Sequence, residues 1–365
     1  MINEIAIKQR SDAAGTITCV ARTRMWRRWI ALAAQLVDAH GRVHNYLRIA
    51  VTDRCNLRCV YCMPEEGLSF EPDSRILSYE EITEIVQAAA GLGIKKLRIT
   101  GGEPLVRKGL DRLISMLSAI PGIEDIALTT NGIYLAPFAD RLKAAGLTRV
   151  NISLDSLRAD RFAMITRGGD VSKVLAGLRA SQRAGFHPIK LNMVLMKGIN
   201  DDEVDDFLRM TLKESIQVRF IEYMPIGHAD SSWRAAYLPL DYVLERCSRM
   251  GLDYRPCGEV YGNGPAQSYQ FDGAAGTFGL IHPVSDHFCS SCNRLRLTAD
   301  GSIKPCLYWS DEYNVRKHIG NPSAIAAIFL KALGAKPETH EMAKALAGQQ
   351  QTQSPTIRRM SQIGG

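Results

Sequence analysis

At 365 residues the chain can hold one large domain, or one domain with an appendage, and its 46% hydrophobic content is that of an ordinary globular protein. Its apolar runs fall far short of a membrane span, which excludes an integral helical membrane protein. The net charge is +7, but the first 45 residues hold seven Lys/Arg against three Asp/Glu, which leaves a body too weakly basic to bind nucleic acid on charge alone.

Residues 1–40 read as an N-terminal extension, flexible or helical. Arg22 to Val37 places basic residues before a short apolar run and faintly imitates a secretion signal, which Gln35 and Asp38 interrupt. Met25 is an alternative start. From residue 46 strand-like and helix-like stretches alternate without a long break. The strands are expected at 46–51, 95–100, 125–130, 149–155, 189–196 and 217–224. Helices are expected at 78–91, 109–119, 135–145, 171–184 and 202–213. Ser78 and Glu81 form a capping box for the first, and Gly93, Gly146 and Gly185 punctuate the ends of helices. Such alternation gives a parallel α/β sheet with right-handed crossovers. Six repeats fit a partial (β/α)6 barrel of the TIM type over 41–226; an open doubly wound sheet has the same periodicity. Residues 227–320 form a C-terminal region that begins irregularly, rich in Gly, Pro and Tyr through 266. Residues 321–365 read as a tail, helical over 323–347 and ending in Gly364-Gly365.

Two cysteine trios carry the chemistry. Cys55, Cys59 and Cys62 sit in a C-x3-C-x2-C spacing just after the first strand. Cubane iron–sulfur clusters normally take four thiolates, so a trio leaves one iron open to a small chelating molecule. An open iron beside a bound sulfonium is the arrangement that S-adenosylmethionine radical chemistry needs. Zinc would want a fourth Cys or His and more often shows C-x2-C pairs. A disulfide framework fits poorly with nine cysteines, an odd and low count. Gly101-Gly102-Glu103-Pro104 follows the second strand, where glycines permit close backbone approach and the carbonyls and carboxylate could grip an ammonium group. Cys289, Cys292 and Cys306 form the second trio. His282 or His287 could complete a zinc site there; a second cluster with an open iron is the sharper reading. Arg294 and Arg296 alternate just beyond and favour an anionic substrate at that iron. Cys19, Cys247 and Cys257 read as packing or surface thiols.

The strands carry one polar face. Lys96, Arg98 and Thr100 share a side by period-2 alternation, as do Asn151, Ser153 and Asp155, and Lys190 and Asn192. Parallel strands are usually apolar on both faces, so a recurring polar face lines a cavity. Lys96, Arg98 and Lys190, with Arg48 and Arg219, imply a polyanionic ligand. The competing reading pairs some of them with Asp155 or Glu222 as structural ion pairs.

With these residues in view, the chain resembles the GTP 3′,8-cyclases, the MoaA-type radical S-adenosylmethionine enzymes of molybdenum-cofactor biosynthesis. The matching stretches are 51–64 around the first trio, Ile99–Pro104, Leu128–Gly132, Asn151–Asp155, Phe220–Met224, Phe288–Leu297 around the second trio, and the Gly-Gly end. The first trio marks the superfamily; the second, with Arg-x-Arg and the Gly-Gly end, marks the family. The resemblance implies two [4Fe–4S] clusters, on Cys55, Cys59 and Cys62 and on Cys289, Cys292 and Cys306. It implies S-adenosylmethionine contacts at Tyr61, Gly102, Ser153 and Met224. It implies GTP contacts at Arg48, Arg98, Thr129, Lys190, Arg219, Arg294 and Arg296, and a tail whose Gly364 and Gly365 enter the active site. The implied reaction is hydrogen abstraction from C3′ of GTP by a 5′-deoxyadenosyl radical and attack on C8. The product, (8S)-3′,8-cyclo-7,8-dihydroguanosine 5′-triphosphate, passes to a cyclic pyranopterin monophosphate synthase. A homodimer, an unidentified electron donor and a cytoplasmic location belong to the same expectation, with no nucleic-acid or membrane partner. A peptide-modifying radical enzyme with auxiliary clusters and a non-enzymatic zinc-stabilised binding protein are the rival readings.

Overall fold

The computed structural model describes residues 35–227, 233–257 and 264–364. Most of the N-terminal extension, Cys19 and Gly365 lie outside them. The six expected strands are all present: β1 (Tyr46–Ala50), β2 (Lys96–Thr100), β3 (Asp125–Thr130), β4 (Arg149–Ser153), β5 (Ile189–Leu195) and β6 (Ile216–Glu222). Each follows the alternation in its sequence. Leu47 and Ile49, Leu97 and Ile99, Ile126 and Leu128, and Val150 and Ile152 turn one way into a continuous apolar core. Their polar neighbours turn the other way. The helix Tyr79–Gly91 covers that core with Ile82, Ile85, Val86 and Ala89, a helical stripe. Its capping box is formed: Glu81 N–H donates to Ser78 Oγ at 3.0 Å, and Ser78 N–H to Glu81 Oε2 at 2.7 Å.

Strand order decides between the two expected architectures. β1 to β6 lie side by side in chain order, all parallel. A doubly wound sheet reverses direction at a switch point, and this one does not. The sheet also stays open, so the fold is a partial barrel of the TIM type. The C-terminal region extends the same sheet on both sides. β7 (Tyr254–Pro256) and β8 (Gln267–Phe271) reach it through β9 (Thr277–Ile281), which joins β6 in parallel. β10 (Arg294–Leu297) joins β1 in parallel, and β11 (Ser302–Lys304) and β12 (Tyr313–Asn314) follow it antiparallel. Pairing of β10 with β1 brings chain segments some 250 residues apart into register, which local periodicity does not encode.

Several local expectations are corrected. The stretch 135–145 divides into a 3-10 turn, Ala136–Phe138, and a helix, Ala139–Ala144, because Pro137 has no N–H to give a longer helix. The tail helix ends at Gly334, before Pro337, and resumes only over Met342–Leu346. The stretch expected to be irregular holds the helix Asp241–Arg249. A helix at Ala159–Thr166 was not anticipated. The segment 35–44, across which the expected extension boundary runs, is packed: Leu36, Asp38, Arg42 and His44 are buried. Among the described residues no helix is long and apolar enough to cross a membrane.

Candidate active site

The first trio occupies the loop after β1, and three braces fix that loop. Arg58 N–H and Val60 N–H donate to the carbonyls of Thr166 and Ile165, at the end of the unanticipated helix. Arg167, with a left-handed φ of 53°, directs its Nη1 to the carbonyls of Arg58 and Met63 at 2.9 and 2.8 Å. Gly102 and Glu103 N–H bond Thr52 and Arg54 carbonyls at 2.8 Å. These contacts explain the two glycines. A Cβ on Gly101 would meet Thr52 O at 2.4 Å, and one on Gly102 would meet Arg54 O at 2.2 Å. Glycine here lets the cysteine loop approach the β2 turn.

Glu103 departs from the expected ammonium grip. Its carboxylate accepts from Leu105 N–H (3.0 Å), Thr130 Oγ1 (2.7 Å) and Asn131 N–H (2.6 Å), and it is only 1% exposed. It buttresses the turn, leaving the backbone to face a ligand. Burial pushes its carboxyl up to about 7. Asp155 accepts from Tyr61 OH at 2.7 Å and Val194 N–H at 2.8 Å, and burial raises it to about 6. Burial likewise raises the trio: Cys55 to about 11, Cys62 to about 12 with Cys55 beside it, and Cys59 well above its usual value. Neutral thiols are favoured here until a metal takes the proton's place.

Beside this loop the register builds a row of cations. Arg48 on β1 stands opposite Arg296 on β10 and opposite Arg98 on β2. Beyond Arg98 comes the small Ala127, and opposite Ala127 stands Arg149. Like charges directly across strands repel, so four arginines in one row require a counter-charge. Asp125 supplies part of it, through a bidentate pair with Arg149. Arg219 donates to Asn151 Oδ1 at 2.8 Å. Asp155 and Glu222 have other partners among the described residues: Asp155 accepts from Tyr61 and Val194, and Glu222 from Tyr237, Val284 and Ser285. Burial first, and then neighbouring cations, bring Arg219 down to about 9, Arg296 to about 10 and Lys190 to about 6. Arg98 Nε, Arg149 Nη1, Arg219 Nε, Thr129 Oγ1, Asn192 Oδ1 and Tyr46 OH are buried with no bonding partner among the described residues. Buried polar groups are rarely left so, and their gathering here marks a polar ligand's place.

The second trio is also unpaired as thiols. Burial would raise Cys292, but Arg294 and Lys336 beside it bring it down to about 6. Arg294 lies over the Phe288 ring at 4.7 Å. Among the described residues no three Cys, His, Asp or Glu converge as a single-ion site. That is the arrangement zinc needs, whereas cubane thiolates bind separate irons and stand farther apart. The six thiols are free, Cys289 buried and the other five part-buried, which fits cluster ligands.

One cavity gathers most of the expected residues. Its walls include Cys55, Cys59 and Cys62, then Tyr61, Gly102, Ser153 and Met224, and then Arg48, Arg98, Thr129, Arg219, Arg294 and Arg296. Lys190 lies one step below, 2% exposed, opposite Asn151. Cys289, Cys292 and Cys306 are not among its walls, although Phe288, Arg294 and Leu307, within two residues of them in the chain, are. The tail reaches in as well: Met360 and Ser361 line the cavity, and Gly364 O accepts from Arg296 Nη1 at 2.6 Å. Gly364 has a φ of 71°, and a Cβ there would meet Thr100 Cγ2 at 2.5 Å. Sequence reasoning missed Tyr46 and Arg149. Tyr46 reads as core, and Arg149 opens its strand like a solvent-facing end.

An open, singly wound β/α sheet with a three-cysteine loop after its first strand defines a radical S-adenosylmethionine enzyme, and residues 49–211 match the Radical SAM superfamily model. Residues 216–342 match the model described as Molybdenum Cofactor Synthesis C. The chain is 58% identical over 330 residues to a GTP 3′,8-cyclase of Listeria monocytogenes, covering 90% of this chain and 99% of that one. It is 50% identical over 331 residues to a GTP 3′,8-cyclase of Lactiplantibacillus plantarum, at 91% and 99% coverage. The chain belongs to the GTP 3′,8-cyclase family. Solved structures agree on the fold: Streptococcus suis SuiB bound to S-adenosylmethionine superposes with a TM-score of 0.54 at 13% identity, over 84% of this chain and 69% of that one. The anSMEcpe structure with bound AdoMet gives 0.52 at 15%, over 82% and 83%.

Proposed function

We propose that the chain cyclises GTP to (8S)-3′,8-cyclo-7,8-dihydroguanosine 5′-triphosphate, the first step of molybdenum-cofactor biosynthesis, with the triphosphate held by the arginine row. The observation that carries this reading is the row itself, Arg296, Arg48, Arg98 and Arg149 in cross-strand register. Guanidinium forks bind phosphate bidentately, and a triphosphate brings the concentrated negative charge that four clustered guanidinium groups attract. A neutral peptide would not.

When bound, the first cluster and S-adenosylmethionine supply a carbon radical that takes a hydrogen atom from the substrate. The chain's own part is placement. Cys55, Cys59 and Cys62 would hold the first cluster, and Tyr61, Gly102, Ser153 and Met224, on the walls of the same cavity, would hold S-adenosylmethionine. Arg48, Arg98, Thr129 and Arg219, with Lys190 beneath, hold the phosphates and ribose. Arg294 would draw the guanine toward the second cluster, which Cys289, Cys292 and Cys306 would hold, while Arg296 completes the phosphate-holding row. Gly364 aims Arg296 through its carbonyl. Fixing C3′ and C8 in contact, away from water, is what lets the new bond form before the radical is quenched.

The same reading includes a cytoplasmic setting, a homodimer, an external electron donor and a synthase that consumes the product. Its support is the family and the free thiols of both trios. Changing Arg294 and Arg296 together to Ala should abolish GTP turnover while iron analysis still finds both clusters. Loss of the second cluster in that variant would make these arginines structural and sink the clamp.

A further inference from the structure

The second trio is tied into the body by two buried cations that the placement above does not use. Lys336 follows the helix Pro322–Gly334 and is 5% exposed. Its Nζ donates to Arg294 O at 2.8 Å and to Pro305 O at 2.5 Å. Arg294 lies two residues after Cys292 and Pro305 one before Cys306, so a single ammonium joins two arms of the trio. Arg42 ties the third arm. Its Nη1 donates to Cys289 O and Glu338 O, both at 2.8 Å, and its Nη2 to Pro337 O at 2.7 Å. Asp38 fixes Arg42 through Nε at 2.6 Å.

The two cations differ in one respect. Arg42 has its carboxylate in Asp38, whereas among the described residues no carboxylate pairs with Lys336. A buried ammonium without a counter-ion is costly, and carbonyls offset only part of that. Both carbonyls that hold it lie within two residues of Cys292 and Cys306, so its charge stands beside the ligands of the second trio. We propose that Lys336 is a positioning residue of the second iron–sulfur cluster, holding the Cys292 and Cys306 arms at their spacing while its charge raises that cluster's reduction potential. A nearby cation favours the reduced cluster, which carries one more negative charge. The inference rests on the second trio being a cluster site.

The test uses the full-length chain with Cys55, Cys59 and Cys62 changed to Ala, so that all bound iron belongs to the second trio. Lys336→Gln keeps donors for both carbonyls but removes the charge; Lys336→Met removes both. The Gln variant should retain its iron and titrate at a lower midpoint potential by electron paramagnetic resonance. The Met variant should hold its cluster roughly 10- to 100-fold less tightly against a chelator, as for loss of outer-shell partners. Lys336→Arg should restore both properties. Unchanged potential in the Gln variant would overturn the charge role, and should the Met variant not fold, the Gln result alone decides. Unchanged iron retention in a folded Met variant would overturn the positioning role. A parent that takes up no iron would instead overturn the cluster assignment beneath both.

Discussion

The first trio has the carboxyls of Glu103 and Asp155 and the Tyr61 phenol beside it, along with Arg58 and Arg359, whereas the second has the cations Arg42, Arg294 and Lys336 around it. In the first, burial leaves the thiols high, at about 11 for Cys55 and about 12 for Cys62. In the second, burial also raises Cys289, but at Cys292 the neighbouring cations overcome burial and bring it to about 6. Equal ligand counts therefore support different work. Carboxyls beside a cluster lower its potential and make it the stronger reductant, as cleavage of a sulfonium requires. Surroundings rich in cations raise the potential and attract an anionic substrate.

The largest effect expected from this contrast follows removal of single thiols. Cys59→Ala should end 5′-deoxyadenosine formation altogether, whereas Cys292→Ala should keep that half-reaction and lose cyclisation. Chromatography of both products under anaerobic conditions reads the difference; parallel loss in both variants would erase the division of labour.

A smaller effect concerns protons at the cationic row. Burial, then Arg219, Arg149 and Arg98, bring Lys190 down to about 6, against an ordinary value of 10.5. Between these values the unfolded chain binds the extra proton, so this group makes folding stability rise with pH over that window. A triphosphate favours the charged amine, so GTP binding should take up a proton, and affinity should fall by up to about tenfold per pH unit above 7. Calorimetry in buffers of different ionisation enthalpy measures the uptake, and Lys190→Met should abolish it.

The smallest effect is at Glu103. Glu103→Gln keeps the shape but turns one acceptor into a donor facing three N–H or O–H groups. It should cost about 1–3 kcal/mol of stability in thermal unfolding. The second cluster's spectrum should not change.

The sequence shows the six strands and the first trio because each is local: alternation within five to seven residues, and ligands within eight. It also shows Arg48, Arg98 and Arg296 as separate inward cations. Their assembly into one row is not legible, because the register of β10 on β1 is fixed by tertiary packing. Arg149 was hidden for the same reason, since only Ala127 between it and Arg98 shows that the row continues. Glu103 read as a ligand because its three bonding partners are backbone and hydroxyl groups that a turn motif does not specify. Lys336 and Arg42 gave no signal, being charged residues whose burial depends on the second trio's fold.

The central claim is that the radical made at the first trio reaches C3′ of a GTP held by the arginine row. An anaerobic reaction with reductant, S-adenosylmethionine and GTP deuterated at C3′ tests it, with deuterium in 5′-deoxyadenosine followed by mass spectrometry. Deuterium transfer accompanied by the cyclised triphosphate is the predicted result. Formation of 5′-deoxyadenosine without deuterium, in enzyme loaded with both clusters, would contradict it.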